Sequence, residues 1–153
     1  MVSMYPSFRG FNQAYQICLG NTACYNENAE ETVNALRAKY KQYAATNGTA
    51  TAQHIKLAKS GLDQIFEDVF ISEEVGFEKP SIDYYQEVFK KIGSNNSEEY
   101  LMIGDSLTSD MQGANNVGIK TCWFNPNGKE NNTNVKINYE IHDLKEIKDI
   151  LLS

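Results

Sequence analysis

Apolar positions along the chain switch repeatedly between helical and strand spacing. In "NAEETVNALRAK" (28–39) Ala29, Val33 and Leu36 form one face behind acidic first-turn residues, with Asn28 expected as N-cap. "YKQYAAT" (40–46) reads as a short strand that breaks at Asn47-Gly48. "TAQHIKLAKSG" (51–61) predicts a helix stopped by Gly61, and "DVFIS" (68–72) a buried strand ending in an acidic loop. "PSIDYYQEVFKKIG" (80–93) is the clearest helix: Pro80 near its start, Ile82, Tyr85, Phe89 and Ile92 on one face, late lysines, and Gly93 at its stop. "YLMIG" (100–104) predicts a strand, "SDMQGANNVG" (109–118) a short helix and "IKTCWFN" (119–125) a strand. After a polar loop, "INYEI" (137–141) predicts an edge strand and "DLKEIKDILL" (143–152) a final amphipathic helix.

Such alternation implies right-handed crossovers and an α/β fold of three layers, Rossmann-like, with a mainly parallel sheet between helices. Ligands of these sheets sit beyond the carboxyl ends of the strands. Three chain segments are thereby expected at one crevice: Thr46-Asn47-Gly48, the loop from Ser72 to Lys79, and Gly104-Asp105.

Composition narrows the function. The 153 residues are 41% hydrophobic and 22% charged, room for one domain with a real core. A net charge of −6 argues against nucleic acid as a partner. No run approaches the ~20 apolar residues of a membrane span, and the first ten residues lack the pattern of a secretion signal. Cys18, Cys24 and Cys122 have unpatterned spacing, and the two histidines, His54 and His142, lie far apart, so a zinc site is not expected. The cysteines read as reduced thiols of a cytoplasmic protein. Trp123 and Phe124 read as core, Cys122 as a buried strand thiol and His54 as an exposed helical residue.

The three strand ends share a chemistry. Thr46 offers a hydroxyl, and the turn through Asn47 and Gly48 offers backbone N–H groups suited to a phosphate oxygen. Lys79 offers a compact positive charge whose backbone is restricted by Pro80. Asp105 and Asp110 offer hard oxygen ligands for Mg²⁺. Alone, each is a turn, a solvated helix start or, for Asp105, a helix cap. Their order on successive strand ends makes a clamp for a phosphoryl group.

"ATNG", "SEEVGFEKP" and "LMIGDSLTSD" resemble the second, third and fourth motifs of the haloacid dehalogenase superfamily of phosphohydrolases. "VFISEEVGFEKP" and "IGDSLTSDMQGANNVGIKTCWFNP" are most similar to its pyrimidine 5′-nucleotidase branch, whose members carry a mobile helical cap. The resemblance runs from about residue 28 to 153. It implies that Thr46 and Lys79 are the catalytic pair and that Thr46, Asn47, Gly48 and Lys79 bind the substrate phosphate. It implies too that Asp105 holds Mg²⁺, and that Asp110 supports the metal shell or orients Lys79. The substrate would be a phosphorylated small molecule, with a nucleotide foremost.

The family's first motif is Asp-x-Asp-x-Thr, whose first Asp attacks phosphorus and whose second is the general acid/base. No Asp-x-Asp occurs in this sequence, and its first aspartate is Asp63. Residues 1–27 are therefore expected to be the remnant of a largely missing cap ahead of a 28–153 core, the alternative being a substitute strand with Gly20, Asn21 and Thr22 at its tip. The expectation is an N-terminally truncated member that keeps the phosphate and Mg²⁺ half of the site and is inactive alone. Two alternatives are completion by a chain supplying the Asp nucleophile, and a non-catalytic phosphate-binding domain. Neighbours of an absent central strand would expose unpaired backbone, so a homodimer or a partner chain is expected to cover them.

Overall fold

The computed structural model describes residues 28–152. The expectations for residues 1–27, cap remnant or substitute strand, and for Cys18 and Cys24 lie outside them. The described residues alternate as α1 (Ala29–Leu36), β1 (Tyr43–Thr46), α2 (Ala50–Ser60), β2 (Asp68–Ile71), α3 (Ser72–Val75), α4 (Ile82–Ile92), β3 (Leu101–Gly104), α5 (Gln112–Asn116), β4 (Lys120–Phe124), β5 (Tyr139–Ile141) and α6 (Glu146–Leu152). Among them, no helix is long and apolar enough to cross a membrane.

Every strand pairing is parallel. β1 lies against β2, with Ala45 opposite Phe70. β3 lies against β4, with Gly104 opposite Trp123, and β4 against β5. Among the described residues no ladder joins β1 to β3, so the strands form a pair and a triplet. Helices hold the two sheets together. On one face, Tyr84, Tyr85, Val88 and Phe89 of α4 pack on Ala45 and Phe70 from the pair and on Met102 and Trp123 from the triplet. On the other, Val33 of α1 packs with Ala44 and Leu57, while Ala29 and Leu36 pack with Ile103, Cys122 and Ile141. The result is the expected three-layer α/β arrangement, with apolar burial against the helices joining the pair to the triplet.

Several elements differ in detail. The buried face of α4 is Tyr84, Tyr85, Val88 and Phe89, whereas Ile82, expected on that face, is 48% exposed. A helix that spans two sheets needs a broad stripe, and the Tyr84 hydroxyl becomes compatible with burial by donating to the Phe70 carbonyl at 2.7 Å. Asn28 occupies the N-cap position of α1 but makes no capping bond there. It takes the left-handed conformation that asparagine tolerates (φ 62°) and donates its amide to both oxygens of Asp143 at 3.0 Å. The acidic loop expected after β2 is a single helical turn, α3. The helix expected from 109 begins earlier, in a π-helical turn over Leu107–Met111. That turn is capped by the Ser106 hydroxyl, which accepts from the Ser109 N–H at 3.1 Å, so Asp105 is not the cap. Trp123 and Cys122 are buried and His54 is exposed, as expected.

These burials set an order for the α4 substitutions. Tyr85→Ala is expected to cost about 3–5 kcal/mol, as for other large buried aromatics, and Ile82→Ala no more than about 0.5 kcal/mol. Urea unfolding midpoints at constant slope check the ranking.

Candidate functional site

The carboxyl end of β1 and the turn after β3 meet at one buried ammonium. Lys79 sits in an otherwise exposed loop between α3 and α4, yet only 3% of it is accessible. Its Nζ donates to the Ala45 carbonyl of β1 at 2.7 Å and to Asp110 Oδ1 at 2.6 Å. Asp110 is fully buried. Its other oxygen, Oδ2, accepts the Ser106 N–H at 3.2 Å. One oxygen therefore serves the lysine and the other the backbone of the turn. The carboxylate fits only because residue 104 is glycine: a Cβ there would stand 2.6 Å from Asp110 Cγ.

The turn after β1 is tied to the same lysine. The Asn47 amide donates to the Lys79 carbonyl at 2.9 Å, and its oxygen accepts the Lys79 N–H at 2.9 Å. Gly48 has φ 146°, a conformation strained for any residue with a side chain; a Cβ would also stand 2.7 Å from Nε2, the movable tip of the Gln53 side chain. The Gly48 N–H donates to the Ser72 hydroxyl at 3.0 Å, linking the β1 turn to the start of α3. Glu73 accepts the Ala50 N–H at the start of α2 at 2.7 Å. Thr46 is buried, and its hydroxyl makes a long 3.3 Å bond to the Asn47 carbonyl.

Asp105, directly after β3, contrasts with Asp110. It is exposed, and no ion pair holds it among the described residues. Its backbone is fixed by Trp123, whose indole N–H donates to the Asp105 carbonyl at 3.1 Å. Partial desolvation, and after it the neighbouring Asp110 charge, push the Asp105 carboxyl above the usual carboxylate range. The folded chain therefore holds this proton more tightly than the unfolded one. The resulting stabilisation is complete below the ordinary carboxylate pKa of about 3.9 and is lost as pH rises through the higher folded value.

Thr46, Asn47, Gly48, Lys79, Asp105 and Asp110 thus lie on adjoining strand ends, and side-chain or backbone bonds join Asn47, Lys79 and Asp110 directly. Asp110 faces the lysine, with both oxygens engaged. Asp105 is the carboxylate that faces outward. Among the described residues no three His, Cys, Asp or Glu side chains gather as a complete metal shell. One open carboxylate is nevertheless compatible with Mg²⁺, which fills its remaining positions with water and substrate oxygens. Ser106 and the Ala45 carbonyl were not legible as site components. Both act through backbone groups, the Ser106 N–H on Asp110 and the Ala45 carbonyl on Lys79, and residue type does not encode such contacts.

A model of haloacid dehalogenase-like hydrolases matches residues 9–118. The chain is 40% identical over 140 residues to the pyrimidine 5′-nucleotidase PynA of Streptococcus pneumoniae, covering 91% of this chain and 59% of the relative. It is 39% identical over 125 residues to the HAD-hydrolase YfnB of Bacillus subtilis, covering 82% and 53% respectively. A magnesium-bound crystal structure of YfnB superposes with a TM-score of 0.87, over 91% of this chain and 61% of that one, at 37% identity. The chain spans between half and three fifths of the length of these relatives.

The buried pair generates a stability prediction. Lys79→Met leaves Asp110 buried and unpaired and is expected to cost about 3–5 kcal/mol in urea unfolding at neutral pH. Adding Asp110→Leu to Lys79→Met is expected to restore most of that loss, because no charge is then stranded.

Proposed function

This chain belongs to the haloacid dehalogenase-like hydrolases, and from that membership we propose that it carries the phosphate- and Mg²⁺-binding half of a phosphomonoesterase site of nucleotidase type and turns over little or no substrate alone. The observation that carries the reading is the Lys79 ammonium, held at 2.6 Å from Asp110 and 2.7 Å from the Ala45 carbonyl beside Thr46, in a sequence with no Asp-x-Asp. A pre-positioned cation in a water-poor setting is suited to a phosphoryl group, because the protein does not reorganise to meet the charge. Thr46 donates its hydroxyl to a phosphoryl oxygen. Lys79 neutralises the phosphate, and Asp110 orients Lys79. Asp105 is the residue that would hold Mg²⁺, which supplies Lewis-acid polarisation of the phosphoryl oxygen when bound. The similarity to PynA favours a nucleotide as the phosphorylated ligand. Covalent phosphoryl transfer of the family type needs a carboxylate nucleophile, and losing that group removes most of the rate.

One observation favours a second reading. The sequence holds no Asp-x-Asp, so in this reading the nucleophile comes from a strand of another chain. Turnover would then appear only on mixing with that chain.

Two measurements test the first reading. Mg²⁺ with inorganic phosphate is expected to raise the unfolding temperature of the chain, by the equivalent of about 2.7 kcal/mol at a hundredfold excess over Kd, and Asp105→Asn to abolish the shift. Because the Asp105 pKa is raised and Mg²⁺ takes only the charged form, the shift should fade on acidification from a higher pH than for an ordinary carboxylate. Hydrolysis of p-nitrophenyl phosphate should stay at background; turnover that vanishes in Asp105→Ala would overturn the claim of inactivity.

A further inference from the structure

We propose that the Asn47 carboxamide is a positioning residue: it fixes the Lys79 backbone so that the ammonium meets the phosphoryl group, and it is not itself a phosphate ligand. This deepens the phosphate-site reading and rests on it.

The argument begins with the loop. Gly76, Phe77, Glu78 and Pro80 are all exposed, and Lys79 alone turns inward. A lysine on four methylenes at the tip of a solvated loop has many rotamers, and a fixed ammonium needs both of its ends held. The distal end is held by Asp110 and by the Ala45 carbonyl. The near end is held by Asn47, which accepts from the Lys79 N–H and donates to the Lys79 carbonyl, each at 2.9 Å. These two bonds cross 32 residues of sequence. A primary amide offers donor and acceptor on two separate atoms, so it pairs with a peptide unit as a neighbouring strand would. Ala45 and Asn47 are two residues apart on one strand end. The end of β1 therefore grips Lys79 at both extremities. A further bond to this turn, from Asn116 Nδ2 to the Pro80 carbonyl at 3.1 Å, leaves Lys79 itself untouched.

Each polar atom of the Asn47 side chain is engaged in this clamp, Oδ1 by the Lys79 N–H and Nδ2 through one of its two N–H groups. On this proposal the contribution of residue 47 to phosphate runs through Lys79 or through backbone. Asn47→Asp keeps the acceptor for the Lys79 N–H and loses the donor. Asn47→Ala loses both.

The test uses the full chain labelled with ¹⁵N-lysine. The Lys79 ammonium resonance is assigned by its absence in Lys79→Met, and inorganic phosphate is titrated by calorimetry. Asn47→Ala is expected to shift or broaden the Lys79 signal and to weaken phosphate about tenfold, with Asn47→Asp moving the same signal. A folded Asn47→Ala whose Lys79 signal is unchanged overturns the proposal. So does a loss of phosphate affinity with an unmoved signal, which would make Asn47 a direct ligand. Should Asn47→Ala not fold, the Lys79 signal in Asn47→Asp decides: moved supports the clamp, unmoved overturns it. Absence of phosphate binding by the unaltered chain would count against the phosphate site alone, and the Lys79 resonance would still decide the clamp.

Discussion

A single buried ammonium joins the two halves of this sheet. β1 and β2 form one parallel pair and β3 to β5 a parallel triplet, with no ladder between them among the described residues. Lys79 bridges them, bonding the Ala45 carbonyl of one and, in the turn that follows β3 of the other, Asp110. Taking these charges out of water costs several kcal/mol per ion, and their attraction offsets this only with good geometry and full hydrogen bonding. Here Asp110 has a partner for each oxygen, and Gly104 clears the space it occupies. The pair's contribution is therefore less to overall stability than to placement: it ties the end of β1 to the turn after β3.

Two aspartates five residues apart have been given opposite environments by the same turn. Asp110 is sealed against Lys79 and a backbone amide. Asp105 faces outward, its backbone pinned by Trp123 and its carboxyl pushed up by partial desolvation and by the charge of Asp110. Environment rather than residue type separates their work: one holds a cation of the protein, the other has room for a cation from solution. The π-helical turn from Leu107 carries this division, since it leads from the outward Asp105 to the inward Asp110 within six residues.

The aromatic layer beneath completes the support. Tyr84 and Tyr85 stand edge to face, 5.4 Å apart, and reach the Phe70 and Asp110 carbonyls. Burial, and then the charge of Asp110, raise both phenol pKa values far above their ordinary range, so they stay neutral donors. Gly113 lets Tyr85 lie flat against α5, where a Cβ would stand 2.6 Å from the ring. Core packing and site geometry are thus one set of contacts, and a core substitution on α4 reaches Asp110 through a single side chain.

The sequence by itself determined the element types, the parallel α/β class and the short stretches at strand ends where chemistry gathers. Alternating periods and glycine stops are local signals, and local signals survive without a fold. Thr46 and Asp105 could be named because each closes or follows an apolar run that reads as a strand, and Lys79 because it stands directly before Pro80 at a helix start. What only the tertiary structure decided is who faces whom. The face of α4 includes Tyr84 and Val88 because strands of both the pair and the triplet lie under it. Asn28 left its cap for Asp143, and Asn47, expected to bind the substrate phosphate, also grips the Lys79 backbone. A hydrogen bond spanning 32 residues, or 115, leaves no periodic trace in the chain. Such bonds are fixed by packing, and packing is decided when the layers close.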